Sequence, residues 1–388
     1  MHSIPYGRQD ISQEDIDSVV DVLKSDFLTQ GPRVPLFEQC LCDITGASYA
    51  LAVNSATSAL HIACLALGVG PGDRVWTSPN TFVASANCAL YCGASVDFVD
   101  IDLRTYNMCV DALEAKLITA EDEGKLPKVV IPVHFAGQSC DMHGISKLAR
   151  RFGFRVIEDA SHAIGGSYDG APVGSCNYSD ITVFSFHPVK IVTTAEGGAA
   201  LTNDADLAAV MTRLRTHGIT PDKRLFSERQ MDEIWNYQQV ELGFNYRMTE
   251  LQAALGLSQL ERLSDFVAKR HELVERYNAE LSDLPISLPF QAALTYSSYH
   301  LYPILIPLGR ENPSQRAVFG SLHRNGILAN LHYIPVYLQP YYAKIGFDYG
   351  YCPNAEEYFR RTVSLPMFPT LDDSDIDRVV SALKEIFP

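Results

Sequence analysis

Lys128-Val-Val-Ile-Pro-Val133, a helical stretch at 141–152, and Arg155-Val-Ile157 closing on Glu158-Asp159 form one strand–helix–strand unit. Both apolar runs are short and bounded by polar stretches, which marks buried strands. The alternation continues on both sides. Upstream, Arg74–Thr77 reads as a strand, 81–91 as a helix, Val96–Asp100 as a strand and 111–120 as a helix. Downstream, Ile181–Phe186 and Ala199–Thr202 read as strands and 204–216 as a helix. Strands that alternate with helices build a mostly parallel sheet covered by helices, an α/β fold. Ligands of such sheets gather at the carboxyl ends of the strands.

Two helices precede this run. Ser12-Gln-Glu-Asp15 before Ile16, Val19, Val20 and Leu23 reads as a capped amphipathic helix, and Ser55–Leu67 as an alanine-rich one. After about residue 245 the pattern changes. A helical stretch spans Thr249–Leu281 with a break near Ser264, and Pro285 and Pro289 then interrupt the chain. Tyr299–Ile306, a helix at 314–325 and Ala329–Ile334 read as a small α+β module, and a last helix covers 373–386. The expected division is a large domain at 12–250 and a small C-terminal α+β domain at 251–388, with segment 1–11 packing near the active site.

The chain has 388 residues, with 31 Lys and Arg against 46 Asp and Glu, a formal charge of −15. With 47% hydrophobic and 20% charged residues it has globular composition. No basic surplus exists to neutralise phosphates, which argues against a nucleic-acid partner. The apolar runs are too short and too interrupted for a membrane span. MHSIPYGRQD lacks the basic segment and apolar core of a secretory leader. Nine cysteines without a Cys-x-x-Cys pair suggest buried thiols in a reducing, cytoplasmic compartment. His134, Cys140 and His143 match no zinc spacing, so no metal is expected.

Three segments carry chemistry. Asn54-Ser-Ala56-Thr57-Ser-Ala59 opens a helix, where free N–H groups and the Thr57 hydroxyl suit an anion, although a plain N-cap gives the same pattern. Val156-Ile-Glu-Asp159-Ala-Ser-His162 puts carboxylates after a buried strand, where one can hold a cationic ring nitrogen or simply stand in solvent. Phe184-Ser185-Phe-His187-Pro-Val-Lys190 is followed by Thr193-Thr-Ala-Glu-Gly-Gly198. A lysine beside a pocket can lose its proton and form an imine, whereas most lysines are solvated. Phosphate anchor, ring-nitrogen carboxylate and imine lysine together are the requirements of pyridoxal phosphate.

On these segments, together with Gly31-Pro32, Glu196-Gly-Gly198 and Gly243-Phe-Asn-Tyr-Arg-Met-Thr249, the chain resembles the DegT-type sugar aminotransferases from end to end. These are fold-type-I enzymes that use pyridoxal 5'-phosphate. The resemblance implies a large domain with a mostly parallel mixed sheet and a small C-terminal α+β domain. Ile4-Pro-Tyr-Gly-Arg-Gln-Asp-Ile11, Ser25–Gly31 and Ser185–Lys190 are similar to members that serve pseudaminic acid biosynthesis. These move an amino group from L-glutamate to C4 of a UDP-linked 4-keto-6-deoxy-N-acetylhexosamine, giving UDP-4-amino-4,6-dideoxy-N-acetyl-β-L-altrosamine. Other nucleotide-linked 4-keto-6-deoxy sugars remain an alternative. A sugar dehydratase would carry histidine in place of Lys190, and a non-enzymatic sensor would lack the lysine or Asp159.

The resemblance implies these roles. Lys190 is the Schiff-base lysine, Asp159 pairs with the ring nitrogen and His162 lies near the phenolic oxygen. Ala56, Thr57 and Ser185 hold the phosphate, and Phe82 stacks on the ring, unless it is core. Tyr6, His187, His332 and Tyr333 contact substrate, with Arg8 a further candidate; Tyr333 as core and Arg8 as a surface ion pair are the plainer readings. Asn245 reaches the phosphate and Arg247 an anionic part of the substrate across a homodimer interface, rather than serving as a helix cap and a surface ion pair. Pro221–Gln239 reads as an insertion, a lid or an oligomer contact.

Overall fold

The computed structural model describes residues 2–227 and 235–388. Its centre is a seven-stranded sheet of Tyr49–Val53 (β1), Arg74–Thr77 (β2), Ser95–Phe98 (β3), Val129–Ile131 (β4), Arg155–Asp159 (β5), Ile181–Ser185 (β6) and Gly198–Thr202 (β7). The order across the sheet is β1-β7-β6-β5-β4-β2-β3. β7 runs antiparallel to both β1 and β6, and the other neighbours are parallel.

Side chains alternate along each strand, and both faces are apolar. Leu51, Val53, Val75, Val129, Ile131, Ile157, Ile181, Val183 and Ala200 pack on one side. That side meets Ala56–Ala66 (α3), Ala84–Tyr91 (α4) and Ala205–Leu214 (α7). Phe184, Ala199 and Leu201 face the other way, toward Arg33–Thr45 (α2) and Glu250–Glu261 (α8), as Trp76, Val130 and Val156 do toward Val110–Asp122 (α5) and Met142–Phe152 (α6).

Ser12 caps Gln13–Leu23 (α1) with Asp15 in a reciprocal box, as the spacing predicts. Asp15 is also buried against Gln259 and Arg262, 2.7 and 2.6 Å away, so α1 is fastened to the long helical stretch at the end of its first helix. That stretch breaks at Arg262, between α8 and Leu263–Leu281 (α9).

Among the elements that go unread in the sequence, two belong to the central sheet and its helical cover, while Pro353–Arg361 and Thr362–Leu365 belong to the C-terminal part. β1, Tyr-Ala-Leu-Ala-Val, is half alanine and lacks the β-branched run that marks a strand. α2 contains Pro35 in its first turn, where a missing N–H costs nothing. Its N-terminus is capped from far away: Glu250 accepts from Arg33 N at 2.6 Å and from Val34 N at 3.3 Å. A Cβ on Gly31 would stand 2.8 Å from that carboxylate, which explains the glycine before Pro32.

The division at 250/251 falls where α8 begins, yet α8 packs on α1 and α2 and shares their core through Ala253 and Leu260. A separate C-terminal core starts with Leu273 in α9. It gathers Tyr277, Ile304, Val318, Ile327, Val363 and Leu383, and takes in Ile4 from the other end of the chain. Ile4–Pro5 pairs in parallel with Ile327–Leu328, and Tyr302–Leu305 antiparallel with Thr362–Leu365. The expected strand at 329–334 is not one. Pairing stops at Leu328, and the next residues turn to the site, held by a bridge from Asn330 to Ser364. The helices at Gln315–Arg324 (α10) and Asp373–Ile386 close this part.

Around Pro221–Gln239, Ile219–Thr220 pairs with Gln238–Gln239, and Trp235 is 71% exposed; residues 228–234 lie outside the described ones. No helix of the described residues is long and apolar enough to cross a membrane. Among them no His/Cys/Asp/Glu group is placed to hold a metal, and His134 and His143 instead face Glu158 and Asp169.

Gly198 opens β7 beneath the start of α3. A Cβ there would stand 2.6 Å from the Ser55 carbonyl carbon and from Ala56 Cα. Backbone cannot yield as a side chain end does. Gly198→Ala is expected to destabilise the fold by about 1–3 kcal/mol, read by chemical denaturation.

Candidate active site

A cavity of about 540 Å³ opens at the carboxyl ends of β5 and β6, beside the N-terminus of α3. Eleven expected site residues line it: Tyr6, Ala56, Thr57, Phe82, Asp159, His162, Ser185, His187, Lys190, His332 and Tyr333. Ser55, Thr81, Ser85, Ser161, Glu196 and Asn330 also line it.

Asp159 ends β5. It is buried, and its neighbour Glu158 projects to the opposite face of the sheet. Ser161 donates to Asp159 Oδ1 from its N–H at 3.1 Å and its hydroxyl at 2.6 Å. The Ser85 hydroxyl donates to Oδ2 at 2.6 Å. Three donors leave one lone-pair direction of the carboxylate open, which fits a protonated ring nitrogen. Glu158 has a structural task. Burial opposes its ionisation, but His134 Nε2 at 2.6 Å and the hydroxyls of Ser179 and Thr182 hold its pKa below the usual range.

Lys190 follows β6. Burial pushes its ammonium down to about 8, against the pull of the Asp159 carboxylate. A minority of this amine, on the order of a fifth, is therefore neutral near physiological pH, far more than for a solvated lysine, and that is the state that attacks a carbonyl. No other Lys or Arg lines the cavity among the described residues.

The first turn of α3 forms the anion end. Ser55 caps the helix by accepting from Ser58 N at 3.2 Å, and the Ser58 hydroxyl donates to Asn54 at 2.7 Å. The N–H groups of Ala56 and Thr57 have no intrahelical acceptor and lie where these residues meet the cavity. Such a turn suits a phosphate. Phe82 precedes α4 and is 61% exposed, an apolar ring at the cavity rim. The fit to pyridoxal phosphate thus rests on an open carboxylate lone pair, an amine whose pKa burial has lowered, free helix N–H groups and an exposed ring face.

The histidines are uncharged. Burial, then the nearby Lys190 ammonium, drives the His162 pKa far down. Burial and Lys190 bring His332 to about 3. His187, at the rim, is lowered by burial and Lys190 against Glu196. Burial raises the phenols of Tyr6 and Tyr333. The Tyr6 ring packs 5.1 Å from His332, which holds Ser364 Oγ at 2.9 Å.

Asn245 and Arg247 do not line this cavity. Their backbones bridge Thr216 and Val53, beside the strand that leads into α3. Asn245 is exposed and Arg247 partly so. Arg8 is exposed and outside the cavity as well. The sequence reading missed Ser85, Glu196 and Asn330. Ser85 meets Asp159 from 74 positions away, a pairing that no local pattern encodes.

The DegT/DnrJ/EryC1/StrS aminotransferase family model matches residues 9–384. The UDP-4-amino-4,6-dideoxy-N-acetyl-β-L-altrosamine transaminase of Campylobacter jejuni is 38% identical over 385 residues, covering 99% of this chain and 97% of that one. The structure of Helicobacter pylori PseC, an aminotransferase involved in pseudoaminic acid biosynthesis, superposes with a TM-score of 0.90 at 33% identity over 99% of both chains. Spr1654 of Streptococcus pneumoniae in its PLP-form gives 0.87 at 30% identity over 99% of this chain and 98% of that one. With the family model spanning nearly its whole length and a cavity whose groups fit pyridoxal phosphate, the chain belongs to the DegT/DnrJ/EryC1/StrS family of pyridoxal-phosphate-dependent sugar aminotransferases.

Proposed function

We propose that this aminotransferase takes the amino group of L-glutamate and delivers it to C4 of a UDP-linked 4-keto-6-deoxy-N-acetylhexosamine, giving UDP-4-amino-4,6-dideoxy-N-acetyl-β-L-altrosamine. The observation that carries the substrate is the end-to-end likeness to the Campylobacter transaminase. Nine unpaired thiols suit a reducing, cytoplasmic setting for this work.

Pyridoxal phosphate, when bound, supplies an electron sink for the carbon that loses its proton. The protein does the rest. Lys190 Nζ would anchor the cofactor and, once released from it, carry the proton from the glutamate Cα to the cofactor carbon on the other side of the amino nitrogen. The open lone pair of Asp159 holds the proton of the ring nitrogen. Phe82 covers one ring face. Ala56, Thr57 and Ser185 hold the phosphate, and His162 offers its Nε2 to the phenolic oxygen. Tyr6, His187 and His332 border the substrate space.

Charge supports a site shared by two subunits. The cavity must take a phosphate, a dicarboxylate and a diphosphate sugar. Its own charged side chains are Asp159, Glu196 and Lys190, with the histidines neutral. One subunit therefore lacks the fixed positive charge that these anions need. In this proposal a homodimer supplies it, with the partner subunit's Asn245 at the phosphate and the partner subunit's Arg247 facing an anionic group of the substrate.

Glutamate is expected to bleach the visible absorbance of the purified holoenzyme. With a panel of UDP-, dTDP- and GDP-linked 4-keto-6-deoxy sugars, the UDP-linked N-acetyl sugar should be aminated fastest. Faster amination of another nucleotide's sugar would overturn the substrate assignment.

Lys190→Ala should abolish both turnover and the imine absorbance band, since among the described residues no other amine lines the cavity. In the wild-type apoprotein, cofactor uptake should speed up as pH rises toward about 8 and level off above it. The neutral amine is the reacting form, and its fraction grows until the pKa is passed. Stopped-flow absorbance over a pH series checks this.

Mixing Lys190→Ala with Arg247→Ala subunits, each inactive alone, should restore part of the activity. A mixed dimer holds one site with both defects and one with neither. No recovery, with heterodimers demonstrated, would place both residues in one chain's site.

A further inference from the structure

One histidine, held in one tautomer by a backbone N–H, gives a neighbouring hydroxyl a direction. His162 Nδ1 accepts from Ala136 N at 3.3 Å. Ala136 holds a left-handed backbone, φ 58°, and Gly137 follows at φ 105°. A Cβ on Gly137 would stand 2.7 Å from Tyr299 N, so this tight turn needs glycine there. The His162 backbone is pinned as well, its carbonyl accepting from the Ser298 hydroxyl at 2.9 Å. An imidazole that accepts at Nδ1 and is uncharged carries its proton on Nε2.

The Tyr333 hydroxyl lies 3.3 Å from that Nε2. Because Nε2 is already protonated, it cannot accept from the phenol. Tyr333 Oη is the acceptor there, and its own proton turns elsewhere. Among the described residues no other hydrogen-bond partner meets this oxygen, and Tyr333 lines the cavity with Lys190. The ring is held in place, with its backbone N–H donating to Asn80 at 3.3 Å and the Phe135 ring 6.2 Å away. Burial keeps the phenol protonated. The arrangement is a one-way series: Ala136 N–H to His162, His162 N–H to Tyr333, and the Tyr333 O–H into the cavity.

We infer that the Tyr333 hydroxyl is the hydrogen-bond donor to the carbonyl oxygen of the keto substrate, aimed there by His162 and the Ala136 N–H. This rests on the aminotransferase reading of the cavity. The donor polarises the C=O bond when the amine attacks, and it stabilises the negative charge that gathers on that oxygen. The same oxygen position serves the keto-sugar on arrival and 2-oxoglutarate on departure. With cofactor bound, the single Nε2–H would be shared with the phenolic oxygen, and a protonated Nε2 still could not accept from Tyr333.

The test compares the Tyr333→Phe holoenzyme with wild type. The visible absorbance and its pH titration should be unchanged, which also reports an intact fold, and UDP affinity should be retained. Bleaching by glutamate should proceed at the wild-type rate, because it precedes formation of the free keto acid. Release of 2-oxoglutarate and consumption of the keto-sugar should both fall by about 10²-fold, the usual loss for one donor to a developing oxyanion. A shifted absorbance titration would assign Tyr333 to the cofactor ring and overturn the inference. A keto-sugar rate equal to wild type would overturn it too, as would bleaching slowed as much as sugar consumption. Wild-type bleaching by glutamate checks the aminotransferase reading separately, so failure of one is distinguishable from failure of the other.

Discussion

A buried carboxylate at the end of a strand organises this protein. Asp159 is out of solvent, and an ionised group there must be met by donors. Ser161 supplies two from the adjacent turn, and Ser85 supplies one from the first turn of α4. Thr81 stands behind Ser85 at 2.8 Å, so the lead into α4 is drawn to the same point. That lead carries Phe82 to the cavity rim. Satisfying one charge therefore sets the end of β5, the start of α4 and the place of an aromatic face, while leaving one lone pair open.

The opposite end of the cavity depends on an absence of atoms. The reversal of β7 between β1 and β6 brings Gly198 under the first turn of α3. Any side chain there would lift that turn away from the sheet. Gly198 is thus a packing requirement of the anion end, although it does not line the cavity, while Gly197 is held bare by Thr194 and Met248. Between the two ends stands Lys190, whose amine is half neutral near pH 8 because burial outweighs its attraction to Asp159.

The electrostatics also separate what one chain can do from what it cannot. Burial keeps His162 and His332 neutral, and neutral imidazoles orient hydrogen bonds without adding charge. The cavity is consequently rich in direction and poor in positive charge. Its ligands are all anions in the proposed reaction, which is the physical argument for cations arriving from a second subunit.

Much of this was legible in the sequence. Short apolar runs between amphipathic stretches determined the α/β sheet, because burial on both faces demands them. Ser12 and Asp15 determined the cap of α1, because a capping box is local. The motifs around Ala56, Asp159 and Lys190 pointed to one cavity, because strand ends and helix starts collect in one place in such a fold. Tertiary structure alone decided the rest. β1 is an alanine-rich strand recognisable only by its partner β7, and the cap of α2 comes from Glu250, more than two hundred positions away. Period-two alternation says that Glu158 and Asp159 face opposite sides, but only packing decides which meets the ligand and which meets His134. Tyr333 owes its direction to Ala136, residues that no local spacing relates. Local patterns report what a segment can bury; contacts between distant segments depend on where the whole chain has placed them.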